Sequence, residues 1–110
     1  MPKQHLNAFL RSLSRRIKPI LKDTQLSMSD LYELSLVAAQ LRWRALAKVD
    51  PTDVRGNLLA LSSVIDSNAV VLARHAMKKR SSISMNDARQ NILKAADALA
   101  VWARQRGRED

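Results

Sequence analysis

The chain contains no cysteine, which excludes disulfides and thiolate metal sites and suits a reducing compartment such as the cytoplasm. Glycine is nearly absent, with 2 in 110 residues, so no glycine-rich loop can cradle a phosphate. Aromatic residues make up 4%, so stacking platforms of the RRM or OB type find no support. No apolar run approaches the roughly 18 uninterrupted residues that span a bilayer, and the Met1 end lacks the apolar core of a signal peptide. The first 22 residues hold no Asp or Glu. An acid-free, Arg- and Ser-bearing amphipathic start is also how a mitochondrial transit peptide reads, but the fold requires the same apolar stripe.

With 46% hydrophobic residues and 3 prolines, the chain reads as one folded, turn-poor domain over residues 1–110 rather than a disordered segment. Leu6, Phe9, Leu10, Leu13, Ile17, Ile20 and Leu21 recur at the helical period and predict a first helix over 5–22. Pro19 leaves that phase intact, so a kink rather than a stop is expected. Ser27 or Ser29, followed by Asp30 and Glu33, caps a second helix over 29–48. One face of it carries Leu31, Leu34, Ala38, Leu41 and Ala45, and another carries Tyr32, Leu36, Ala39, Trp43 and Leu46. Only Glu33, Gln40 and Arg44 remain as a polar strip, as in a helix at the centre of a bundle or in an interface.

Asp50-Pro51-Thr52-Asp53 reads as a start signal with Asp50 as cap, opening a third helix over 51–79. Its core stripe is Val54, Leu58, Leu61, Ile65, Leu72 and Ala76, and Asn68 is the polar exception, suited to a hydrogen bond across the bundle. Ser84 with Asp87 opens a fourth helix over 84–106 carrying Ala88, Ile92, Ala95, Ala96, Leu99, Trp102 and Ala103, with residues from Gly107 onward frayed. Leu34, Leu41, Leu61, Ile65, Leu72, Ile92 and Leu99 are expected to be buried. No segment alternates as a strand does. The expected fold is an all-α antiparallel four-helix bundle, up-down-up-down, with long helices and short loops.

Lys and Arg number 19 against 10 Asp and Glu, a net charge of +9. Asp30, Glu33, Asp50, Asp53 and Asp87 fall at helix starts, where each is worth about 0.3 to 1 kcal/mol against the dipole. Arg11, Arg15, Lys18 and Lys22 fall instead at i, i+4, i+7 and i+11, opposite the apolar stripe, in a line about 16 Å long. The topology sets Lys22 at the same end as Lys78, Lys79 and Arg80, and gathers Lys3, Arg42, Arg44, Lys48, Arg104, Arg106 and Arg108 at the other. Cations near helix C-termini and on solvent faces are ordinary, yet that does not require the imbalance.

The expected function is therefore non-enzymatic: contact with the phosphate backbone of nucleic acid, DNA or RNA, without sequence specificity. The residues expected to carry it are Arg11, Arg15, Lys18, Lys22, Lys78, Lys79, Arg80, Arg104 and Arg106, with Ser12, Ser14, Ser81 and Ser82 able to add hydrogen bonds to phosphate. The setting expected is an oligomer or an accessory subunit of a nucleoprotein complex in the cytoplasm. The helices are too long for a helix-turn-helix. The alternative is a protein-binding adaptor or inhibitor, of phage or mobile-element type, that uses Tyr32, Leu36, Trp43 and Leu46.

No catalytic or cofactor chemistry is expected. His5 and His75 have no carboxylate at a ligand offset, and no serine has a nucleophile-elbow setting. Asp66 and Asp97 are a candidate carboxylate pair, against the plainer reading that each pairs with a base such as Lys94 or Arg74. In helix count and charge the chain is similar to small basic helical bundles that serve as accessory subunits of nucleoprotein machines. The small subunits of CRISPR effector complexes and the accessory proteins of diversity-generating retroelements are such bundles, and the likeness identifies no residue.

Overall fold

The computed structural model describes residues 3–22 and 26–109, with side chains for 6–22 and 26–105. Its elements are α1 (Lys3–Lys22), α2 (Met28–Leu46), α3 (Thr52–Ala76) and α4 (Met85–Glu109). Among the described residues there is no strand. α2 packs on α3 and α1 on α4, α3 and α4 join the two pairs, and α1 touches α2 only sparsely. Chain neighbours are thus neighbours in space, and the four helices form the up-down-up-down bundle that the sequence implies.

The core is a set of aliphatic side chains spaced three or four residues apart on each helix. Leu10, Leu13 and Ile17 of α1, Leu34, Val37 and Leu41 of α2, Val54, Leu58, Ile65 and Leu72 of α3, and Ile92 and Leu99 of α4 are fully enclosed. Burial of each stabilises the fold by about 1.5 to 3 kcal/mol relative to leaving it in water. α1 keeps its helical course through Pro19, which is exposed, so the backbone group left without its bond is open to solvent.

Within each closely packed pair a buried serine lies against the neighbouring backbone. Ser14 of α1 donates its hydroxyl to the carbonyl of Ala96 at 3.0 Å, and Ser62 of α3 donates to the carbonyl of Ala38 at 2.7 Å. A small side chain lets the helices approach, and the carbonyl's second lone pair satisfies the hydroxyl. Asn68 links α3 to α4 as expected, since its side-chain oxygen accepts from Asn91 at 3.0 Å while its amide donates to the Val64 carbonyl at 2.7 Å.

The sparse α1–α2 seam is closed by polar groups. Arg16 donates through Nε to Glu33 at 2.7 Å and through Nη1 to Gln40 at 2.6 Å, with Nη2 also on Glu33. The guanidinium of Arg44 lies 5.8 Å from the centre of the Phe9 ring. The strip Glu33, Gln40 and Arg44 on α2 therefore faces α1.

Several boundaries differ from the sequence reading. Ser27 caps α2 in a capping box with Asp30, but the cap position of α3 is Pro51, without a side-chain bond. Asp50 turns back instead and receives Arg44 in a bidentate pair at 2.6 and 2.9 Å. α2 and α3 end at Leu46 and Ala76 because Lys48 and Lys78 take left-handed backbone, φ 57 and 58. Leu61, expected in the core, is half-buried at the α3–α4 edge, and Ala76 is exposed. Ser62 holds the adjoining core position because only a small residue fits against α2 there. By length and composition α3 could cross a membrane, with a mean hydropathy of 1.4 over its best window and a third of that window buried. Ser62, Ser63, Asp66 and Ser67 divide it into short apolar runs, so no uninterrupted run in α3 reaches the length of a bilayer span.

Two stability predictions follow from this packing. Ile65→Ala should lower the unfolding free energy by about 2 to 5 kcal/mol and Leu61→Ala by clearly less, measured by urea denaturation. Arg44→Met should cost about 3 to 5 kcal/mol by leaving Asp50 buried without its partner, and Arg44→Met with Asp50→Leu should recover most of that loss.

Candidate nucleic-acid interface

The row Arg11, Arg15, Lys18 and Lys22 is exposed along α1. Between these residues Ser14 is held against α4 by its bond to Ala96. That contact fixes what lies opposite the row, because Ala100 and Arg104 follow Ala96 on α4 at steps of four residues. Arg11, Ser14, Arg15, Lys18, Ala100 and Arg104 line an open groove of about 400 Å³. Ser14 and Ala100 are the small residues of this lining, and four cations supply the rest. The sequence reading grouped Arg104 with Arg42, Arg44 and Lys48, whereas helix packing brings it across from Arg11 and Arg15.

Among the described residues no acid lines this groove, and beside it the carboxylate of Asp97 meets Lys18 at 3.0 Å with both side chains largely exposed. Such a pair is worth about 0 to 1 kcal/mol and a stronger anion can displace it. Asp97 thus takes Lys18 rather than Lys94 or Arg74 as its partner. Asp66 borders a different hollow with Arg42, Ser63 and Ser67, so the two carboxylates serve separate faces and form no acid pair. Among the described residues no three His, Cys, Asp or Glu side chains gather as metal ligands.

The second cluster follows α3. The amide of Lys78 donates to the His75 carbonyl at 3.0 Å and that of Lys79 to the Arg74 carbonyl at 2.8 Å. This is the Schellman arrangement, with lysine where glycine is usual. Arg74 donates through Nε and Nη2 to the Arg80 carbonyl at 3.0 and 2.9 Å. His75 Nε2 lies 2.8 Å from the Ile83 carbonyl and donates to it. These bonds order the loop and leave Lys78, Lys79 and Arg80 exposed. Arg89 Nη1 donates to the Leu21 carbonyl at 3.2 Å, tying the end of α1 to the start of α4, so Lys22 sits at this end of the bundle.

Arg44 leaves the basic pole to which the sequence assigned it, since its side chain is only 10% exposed against Asp50. Hydrogen bonding to Asp50 raises its already high pKa, burial opposes this, and the charge of Asp50 adds to the rise. A raised pKa gives stability that is complete below the ordinary arginine value and lost only above it, so the pair holds through all ordinary pH. The side chain of Arg106 lies outside the described residues. Tyr32, Trp43 and Leu46 stand exposed on the outward face of α2 with Leu36 half-buried between them, away from the groove. The sequence reading missed Arg16, whose role depends on α2 lying beside it, and the apolar hollow of about 480 Å³ at Leu61, Val101 and Trp102 between α3 and α4.

Lysine at φ 58 carries a backbone cost that glycine would relieve. Lys78→Gly should therefore raise the unfolding free energy by about 0.5 to 1 kcal/mol in urea denaturation. It should also weaken polyanion binding if Lys78 meets phosphate, separating stability from binding at one residue. No family model, curated protein or solved structure matches this chain.

Proposed function

We propose that this chain binds the phosphate backbone of nucleic acid without sequence specificity, as a non-enzymatic accessory protein. The observation that carries this reading is the α1–α4 groove, where Arg11, Arg15 and Lys18 face Arg104 and an exposed acid beside it is paired, among the described residues, only with Lys18. Lys22 extends the row, and Lys78, Lys79 and Arg80 form a second contact at the same end of the bundle. A row about 16 Å long sets four cations along one stretch of strand backbone, enough to meet consecutive phosphates. Base reading has no support, because the groove lining contains no aromatic side chain. Affinity then comes from releasing counterions from the strand, as Lys and Arg take their place.

Fluorescence anisotropy with unrelated oligonucleotides at several salt concentrations tests the proposal. Binding should weaken steeply with salt, and Arg15→Gln with Lys18→Gln should lower affinity for all sequences alike. The double variant should also flatten the slope of log K against log salt by about 1 to 2. Arg104→Gln should flatten it further by about 1, as a residue on the same groove would. An unchanged slope in these variants would exclude the groove as the binding surface. No binding at low salt would favour the adaptor reading, which has the exposed Tyr32, Trp43 and Leu46 in its support.

A further inference from the structure

The outward face of α2 carries an apolar seam that none of the described residues covers. Ser29, Tyr32, Leu36, Ala39, Trp43 and Leu46 follow one another at steps of 3, 4, 3, 4 and 3, the spacing of a coiled-coil seam. The core stripe of the same helix, Leu31, Leu34, Val37, Ala38, Leu41 and Ala45, is buried on the opposite side. Met28 is 67% exposed, Tyr32 70%, Trp43 58% and Leu46 62%. Together they offer apolar area on the order of 600 Å², the upper end for a monomer, so two such faces reach the area of a small specific interface, about 1,200 Å².

The charges of α2 indicate what covers it. Glu33 and Arg44 are bound to Arg16 and Asp50 within the monomer, which leaves Asp30 in the first half of α2 and the exposed Arg42 in its second, and the helix is neutral in a chain of charge +9. A second α2 running antiparallel sets acidic half against basic half, whereas a parallel one opposes like to like. The antiparallel register also places Tyr32 of one copy beside Trp43 of the other and the small Ala39 next to the twofold axis, where backbones come closest. Neutrality disfavours a polyanion on this face.

We infer that a second copy of this chain covers the α2 seam, with the two α2 helices antiparallel. This does not rest on the nucleic-acid reading, and its test removes nucleic acid. Sedimentation of the nuclease-treated chain in high salt should show a monomer–dimer equilibrium in the micromolar range. Trp43→Glu should raise the dissociation constant by about 30-fold or more, with its melting curve confirming the fold and Leu46→Gln serving as a second variant. Because the chain lacks cysteine, single cysteines report orientation. Ala39→Cys should be bridged between copies by a short bis-maleimide, while Ser29→Cys should not, since antiparallel pairing holds the two copies of that position about 25 Å apart. A monomer at hundreds of micromolar, an assembly larger than a dimer, indifference to both variants, or bridging through Ser29→Cys would each overturn the inference.

Discussion

The hydrogen bond from Ser14 to the Ala96 carbonyl, 3.0 Å long and buried between α1 and α4, is the contact on which the shape of the basic groove depends. It requires a residue small enough to let two helices close and polar enough to satisfy itself on a carbonyl already engaged within its own helix. Once the two helices are pinned there, the four-residue steps of α1 and α4 determine the rest. Arg11, Arg15 and Lys18 form one wall of a groove and Arg104 stands on the other. The contact between Ser62 and Ala38 does the same for α3 and α2, so the bundle consists of two pairs joined through α3 and α4.

Where the helices are not drawn together by small residues, other groups close the gap. Arg16, Glu33 and Gln40 bridge α1 and α2 with part-buried hydrogen bonds, and Arg44 is held between Phe9 and Asp50. An unpaired charge as enclosed as Arg44 or Asp50 is strongly unfavourable, and Arg16, though its side chain is 30% exposed, is engaged on all sides by Glu33 and Gln40, so both arginines serve the packing of α1 on α2. Exposed cations line α1, stand at Arg104 of α4 and fill the loop after α3, with Arg42, Lys48 and Lys94 exposed elsewhere, while the outer face of α2 presents Tyr32, Trp43 and Leu46. Segregation of this kind permits one face to meet a polyanion and another to meet a protein without competition.

Helix number, order and most of the core were legible in the sequence because they depend on local periodicity and capping. Ser27 with Asp30 and the stripe from Leu6 to Leu21 act within a few residues of themselves. Asn68 was legible for the same reason, as a polar residue on an apolar stripe. Asp50 was not, because a local capping preference was outweighed by a bidentate bond to Arg44 across the turn. Leu61 was misplaced because its burial depends on where α4 crosses α3, and the left-handed Lys48 and Lys78 shortened two helices without a glycine to announce it.

By itself the sequence determined an all-helical chain with an excess of positive charge and a row of cations along its first helix. The tertiary structure alone decided which of the remaining arginines belong to that row. Arg104 joins it and Arg44 does not, although both lie near helix ends and carry the same charge. The distinction arises because periodicity fixes the face of its own helix on which a residue lies, while the close approach of neighbouring helices at Ser14 and Ala96 fixes what that face meets.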